Sequence, residues 1–245
     1  MKEKDIPDLY RPVVWITGAS SGIGRETAKQ FAMLGCKVCV SARRKKELAL
    51  LVKEISSTGG HAYEFPLDIT VSKDVKAIFS KIKKKFGKID VLINNAGISS
   101  FNSIVGTPMN DIENILKTNL LANIDCTKAV LPSMVKQKSG WIFNIISMVA
   151  MKTYEGSGAY TASKAGMLGF GKVLREETRN YNIKVVNVIP GATDTEIWSS
   201  KIREKHADRM MKAKSVAEAI LSVYQMPDDV VVDEFVVRPI TGDLS

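Results

Sequence analysis

Residues 13–24 read Val13-Val14-Trp15-Ile16-Thr17-Gly18-Ala19-Ser20-Ser21-Gly22-Ile23-Gly24. The first five are apolar or β-branched and suit a buried strand. Glycines at 18, 22 and 24 then interrupt the pattern. From Arg25 to Leu34 apolar residues return at helical spacing (Ala28, Phe31, Ala32), and Gly35 is placed to cap the helix end. Lys37 to Ala42 is a second apolar run. Strand, glycine turn, helix, strand is a βαβ unit, whose parallel strands require a right-handed crossover. Glycines in such a turn let backbone approach a phosphate closely, and the helix that follows offers unpaired N–H groups to an anion. A tight turn with no ligand has the same local pattern.

The alternation continues along the chain. Helices are expected at Lys45–Ser57, Val71–Phe86, Asp111–Val135 (one long helix), Tyr160–Asn180 and Ser215–Tyr224. Strands are expected at Ala62–Phe65, Ile89–Ile93, Trp141–Ile146, Lys184–Ile189 and Val230–Val237. Strands alternating with helices from end to end imply an α/β fold. The expectation is a Rossmann-type, doubly wound parallel sheet of about seven strands with helices on both faces. No linker, repeat or low-complexity segment divides residues 1–245, so a single domain is expected. Glu196 to Met211 reads as an amphipathic segment outside the sheet.

Composition excludes several classes. The 245 residues carry 45% apolar and 25% charged side chains, ordinary for a globular protein. No apolar run approaches the ~18 residues of a membrane helix. Met1 to Pro12 is mostly polar and lacks the apolar core of a secretory signal, so a cytoplasmic location is expected. Cys36, Cys39 and Cys126 form no paired framework and fit buried thiols in a reducing compartment. The two histidines, His61 and His206, belong to no cluster with metal-ligand spacing, so no metal is expected. The net charge of +9 could suit an anionic partner. Yet the densest basic run, Lys81 to Lys88, closes an expected helix, where positive charge complements the dipole. No nucleic-acid recognition motif accompanies it.

Two further stretches carry chemistry. Tyr160 and Lys164 are one helical turn apart, which puts their stems about 5–6 Å from each other. An adjacent ammonium favours the phenolate of a tyrosine that otherwise titrates near ~10, giving an acid or base for near-neutral pH. The second is Ser41-Ala42-Arg43-Arg44, at the end of the second strand. An acidic residue there would bind the ribose hydroxyls of NAD, whereas basic residues suit the extra phosphate of NADP. Here Ala42 fills the acidic position. Two arginines at a helix start oppose the dipole unless an anion joins them.

Taken together, these motifs resemble the short-chain dehydrogenase/reductase family across nearly the whole chain. The matching residues, in order and at the family's spacings, are Thr17 to Gly24, Asp68, Asn94-Asn95-Ala96-Gly97, Asn119, Ser147, Tyr160-Thr161-Ala162-Ser163-Lys164 and Pro190-Gly191. The resemblance implies hydride transfer between NADP(H) and a carbonyl or secondary alcohol. Ser147, at the carboxyl edge of a strand, would hold the substrate oxygen and Tyr160 would exchange its proton. Lys164 would lower the tyrosine's pKa and bond the nicotinamide ribose. Asn119 would hold a water relaying protons from Lys164. The implied cofactor residues are Gly18, Ser20, Ser21, Gly22, Ile23, Gly24, Arg43, Arg44, Asp68, Asn94, Ala96, Gly97, Tyr160, Lys164, Pro190, Gly191, Thr193 and Thr195. Asp68 would meet the adenine or cap the next helix. Asn94 has a structural family role as well, bonding neighbouring backbone.

Met148 to Glu155 and the segment 196–211 are expected to select the substrate, the latter as a lid. Its Lys201, Arg203, Lys205 and His206 could meet a carboxylate or simply be solvated. The ending Arg238-Pro239-Ile240-Thr241-Gly242 is similar to the serine and 3-hydroxy acid dehydrogenase branch, which puts a 3-hydroxy acid among the candidate substrates. A 3-oxoacyl-carrier-protein reductase and a catalytically silent nicotinamide-binding regulator are the alternatives. Relatives pair across the long helix and the 160–180 helix, so a homodimer or homotetramer is expected.

Overall fold

The computed structural model describes residues 11–242 and 244. The reading of the polar N-terminus rests on residues 1–10, which lie outside the described residues. In chain order the elements are β1 (Val13–Thr17), α1 (Gly22–Met33), β2 (Lys37–Ser41), α2 (Lys45–Ser57), β3 (His61–Glu64), α3 (Ser72–Phe86), β4 (Val91–Asn94), α4 (Met109–Leu116), α5 (Ala122–Gln137), β5 (Gly140–Ile145), α6 (Gly158–Thr178), β6 (Ile183–Pro190), β7 (Thr193–Asp194), α7 (Ser200–His206), β8 (Met211–Lys212), α8 (Ala213–Tyr224) and β9 (Glu234–Val237).

Seven strands form one parallel sheet in the order β3-β2-β1-β4-β5-β6-β9. Their period-two alternation sends each strand's residues into two separate cores. Val14, Ile16, Val38, Val40, Ile93 and Val188 meet α1, α2 and α8 on one face. Trp15, Cys39, Leu92, Ile142 and Val185 meet α3, α5 and α6 on the other. Burying such a side chain is worth about 1.5–3 kcal/mol, so a sheet apolar on both faces holds only with helices on both. The strand order reverses between β1 and β4, and a crevice opens beyond their carboxyl ends.

One row across the sheet is polar. Asn94, Asn144, Asn187 and Glu234 are register partners on β4, β5, β6 and β9. Asn94 donates to Asn144 (3.0 Å), Asn144 to Asn187 (3.1 Å) and Asn187 to Glu234 (3.2 Å). Asn94 also donates to Thr127 on α5 at 2.9 Å. A side chain at Gly171 of α6 would meet the Asn187 amide oxygen at 2.2 Å, so this glycine lets the helix lie on the row. Buried amides left unpaired would cost about 1–3 kcal/mol each, which fixes the register of these four strands.

The structure differs from the sequence expectations in three elements. The expected single helix 111–135 is two helices joined by a π turn at Lys117–Leu121, where the Ala122 N–H bonds the Lys117 carbonyl. The extra residue in that turn places Asn119 against Ile98 and Ser163. The third strand stops at Glu64, although the N–H groups of Phe65 and Leu67 still bond the carbonyls of Val40 (2.9 Å) and Ala42 (3.0 Å). Asp68 therefore sits in the loop after it. The last strand is Glu234–Val237 rather than 230–237, since pairing with β6 begins only at Asn187 and Glu234.

Candidate active site

The glycine turn is braced from β4. Asn95 donates through its amide to the carbonyls of Thr17 (2.9 Å) and Gly18 (3.1 Å), while the N–H groups of Asn95 and Ala96 bond the Thr17 hydroxyl. Gly18 and Gly22 have φ of 66° and 55°, the left-handed region that favours glycine. Gly24 is required by packing: a Cβ there would lie 2.4 Å from the Asn95 amide nitrogen and 2.8 Å from the Gly18 carbonyl. Asn95 and Thr17 are the residues that the sequence reading quoted in motifs without assigning them a role.

Beyond the turn is a cleft of about 810 Å³ at the carboxyl edge of the sheet. It is lined by Gly18, Ser20, Ser21, Gly22 and Ile23 of the turn. Ala42, Arg43, Arg44 and Asp68 line its next wall, followed by Ala96 and Gly97. Ser147, Tyr160 and Lys164 line its floor, and Pro190, Gly191, Thr193 and Thr195 its far side. Gly24, Asn94 and Asn119 lie behind the lining. For Asn94 the structure gives the structural half of its expected role: it is 2% exposed and belongs to the amide row.

Several features of the cleft suit a dinucleotide phosphate. Helix α1 begins without a side-chain cap at Ser21, which leaves its first N–H groups facing the turn. Arg44 donates to the hydroxyls of Ser20 (3.0 Å) and Ser21 (2.7 Å) and forms a 2.6 Å ion pair with Glu196. This bond holds the Glu196 carboxyl below the usual range. For Arg44 the expected anion is thus met within the chain by a carboxylate of the 196–211 segment. Asp68 accepts both the N–H (3.0 Å) and hydroxyl (2.7 Å) of Thr70, just ahead of α3. Burial opposes ionisation of Asp68, but the Thr70 bonds with Arg43 and Lys117 outweigh it and lower its pKa.

At the floor, Tyr160 and Lys164 share one face of α6, and Ser147 follows β5 in extended backbone. Tyr160 is hydrogen-bonded to Ser147, which favours the phenolate, yet burial dominates and pushes the phenol up to about 12. Lys164 is buried and brought down to about 8 by desolvation. Its ammonium lies 5.9 Å from the Tyr160 ring and donates to the Ile145 carbonyl at 2.7 Å. The net shift of Tyr160 is therefore upward and set by its burial, with the Ser147 bond working against it. Asn119 is fully buried, its amide paired with both the N–H and carbonyl of Ile98 at 2.8 Å and with Ser163 at 3.0 Å. A Cβ at Gly97 would reach Asn119 at 3.3 Å and Lys164 at 3.6 Å, so the glycine keeps open the gap between them.

Residues 196–198 cross the mouth of the cleft with three attachments. Glu196 holds Arg44, the Ile197 carbonyl accepts the Ser99 hydroxyl at 2.8 Å, and Trp198 stacks on Phe101 at 5.3 Å and 6°. Phe101 also meets the Tyr160 ring edge-on at 6.1 Å. Further along, Arg203 is paired with Asp194 at 2.6 Å, and Lys201 and Lys205 are exposed outside the cleft lining. Of the segment's basic side chains expected to face substrate, only His206 lines it. Among the described residues no acidic, histidine or cysteine group has metal-site geometry, and no helix is long and apolar enough to cross a membrane.

Comparison with known proteins agrees with this architecture. The short chain dehydrogenase family model matches residues 12–206. The chain is 31% identical over 240 residues to a sepiapterin reductase of Chlorobaculum tepidum, covering 95% of this chain and 98% of the relative. It is 35% identical over 222 residues to a 3-oxoacyl-(acyl-carrier-protein) reductase of Thermotoga maritima, covering 87% and 90%. Among solved structures, the closed form of a serine dehydrogenase complexed with NADP+ superposes with a TM-score of 0.89 at 27% identity, covering 95% of this chain and 97% of that one. The chain belongs to the short-chain dehydrogenase/reductase family of oxidoreductases.

Proposed function

We propose that the protein is an NADP(H)-dependent reductase or dehydrogenase of a carbonyl and its secondary alcohol, with Asn119, Ser147, Tyr160 and Lys164 as its catalytic set. The observation that carries this reading is the hydrogen-bonded Ser147–Tyr160 pair above a buried Lys164, at the floor of a cleft whose other end suits a phosphate. The nicotinamide, when bound, supplies or accepts the hydride. Ser147 holds the substrate oxygen, and Tyr160 donates a proton to it in reduction. A phenol near 12 is protonated at neutral pH and so is ready as the acid. Lys164, near 8, exchanges protons near neutrality and replenishes it, with Asn119 shaping the gap beside the ammonium. Arg43 and Arg44 favour the extra phosphate of NADP, and Gly18 to Gly24 receive the pyrophosphate at the start of α1. Asp68 receives the adenine, while Pro190, Gly191, Thr193 and Thr195 hold the carboxamide side.

A 3-hydroxy acid was suggested by the ending Arg238 to Gly242; of the basic side chains that could meet its carboxylate, Lys201 and Lys205 lie outside the cleft lining and Arg203 pairs with Asp194. The 35% identity to a 3-oxoacyl-(acyl-carrier-protein) reductase keeps a thioester as the second reading. Residues 196–211 act as the lid, and exposed Leu121 and Val173 near α5 and on α6 support pairing of two copies there. The test is NADPH oxidation across oxo acids, oxoacyl thioesters, ketosteroids, sugars and aldehydes, repeated with Tyr160→Phe. Turnover should fall about 10²–10⁴-fold while NADPH still binds. A Tyr160→Phe protein with near-parent turnover defeats the mechanism.

A further inference from the structure

The charges of the cleft are unevenly placed. Arg43, Arg44, Asp68 and Glu196 gather at the phosphate end, linked by the Arg44–Glu196 pair and by the field of Arg43 on Asp68. Lys164 lies under Tyr160 with a proton committed to the Ile145 carbonyl. From Tyr160 outward the lining changes character. The next ring is Phe101, in edge contact with Tyr160, and the next is Trp198, stacked flat on Phe101. Met148, Tyr154 and Ile202 also line the cleft. Arg203 is directed to Asp194, and the neighbouring lysines stay outside. Of the basic side chains of the 196–211 segment only His206 lines the cleft, so a carboxylate entering past Phe101 would lose water without gaining a guanidinium or lysine partner there. A flat apolar group would bury its faces against rings already set parallel.

We propose that the substrate is an uncharged ketone or aldehyde bearing a flat apolar group, laid against the Phe101–Trp198 stack while its oxygen reaches Ser147 and Tyr160. This rests on the reductase reading above and names the substrate class for it. Phe101 and Trp198 are then specificity-determining residues, and the loop and the segment that carry them form the substrate wall only when joined. The bond from Ser99 to the Ile197 carbonyl holds them together beside the stack.

The test compares acetylnaphthalene with 3-oxodecanoate, which has the same number of heavy atoms, under saturating NADPH. Acetylnaphthalene should have the higher kcat/KM by about 10–100-fold, the range of a specific apolar contact. Trp198→Ala should lower that value about tenfold or more through KM and leave 3-oxodecanoate nearly unchanged. Trp198→Tyr should retain most of the preference. Preference for the oxo acid overturns the proposal. An equal loss for both compounds in Trp198→Ala also overturns it, because the rings would then serve only to hold the segment down. A second readout needs no turnover. Among the described residues Trp198 is the only tryptophan lining the cleft, while Trp15 is fully buried and Trp141 packs against the core. The fluorescence of the parent minus that of Trp198→Phe therefore isolates Trp198. Its quenching by acetylnaphthalene, with no reduction of any carbonyl, would leave the aryl site standing and refute the reductase reading. Absence of both would refute the two together.

Discussion

The two ends of the cleft are built in opposite ways. At the glycine turn, Thr17, Gly18, Asn95 and Ala96 are bound to one another through backbone and buried side chains, directly above the sheet. At the mouth, Glu196, Ile197 and Trp198 are held by an exposed ion pair, a surface hydroxyl and a ring stack. Buried hydrogen bonds within a register are hard to shift, whereas exposed contacts are each worth about 1 kcal/mol or less. The difference separates two tasks. If the proposed function holds, chemistry that needs fixed geometry would sit on strand ends, and substrate selection would fall to the more loosely held segment.

The sharpest test of this contrast lies at Lys164, on the rigid side. Its folded pKa near 8 lies below its ordinary 10.5, so between those values the unfolded chain binds more protons and stability rises with pH. Relative to Lys164→Met, the parent should gain about 3 kcal/mol across that window, at about 1.4 kcal/mol per unit. Comparing the two proteins cancels the buried thiols and Tyr224, whose raised pKa values act in the opposite direction. Denaturant titrations at several pH values read it, and parallel curves would mean the floor is as open to water as the mouth. Next in size is Gly24→Ala. The added methyl meets the tethered Asn95 amide and the Gly18 carbonyl, so a loss of about 1–3 kcal/mol is expected with weakened NADPH binding. Unchanged thermal stability would show the turn to be as yielding as the segment.

At the mouth, Glu196→Gln frees Arg44 and should tighten NADPH binding several-fold by calorimetry while leaving NADH unchanged. Weaker NADPH binding would make the pair a support for the site. The smallest effect is expected from Ser99→Ala, within about 0.5 kcal/mol in stability because its bond is exposed. A large loss there would erase the contrast.

Sequence patterns revealed the glycine-turn end far more fully than the mouth. The strand–glycine–helix pattern led to β1, α1 and β2 with nearly the observed limits, because local periodicity and turn chemistry agree there. Tyr160 and Lys164 were readable for the same reason, standing one turn apart on one helix, whereas Ser147 came from the family resemblance. Asn95 as a brace, Arg44 facing Glu196, and the Phe101–Trp198 stack were not. Each depends on residues far apart in sequence meeting across loops, and no local period encodes that. The upward shift of Tyr160 was also hidden, because burial depends on what packs around α6.

The π turn at Lys117–Leu121 has a consequence for how such a site could arise or be lost. A π turn carries one residue more than the α-helix it interrupts, and each residue turns a helix by about 100°. Deleting a single residue from this stretch would restore uniform winding and swing Asn119 away from Ile98 and Ser163. The helix would become more regular and the active site would lose a wall. An indel here would switch the segment between a uniformly wound helix and one that holds Asn119 beside Ser163.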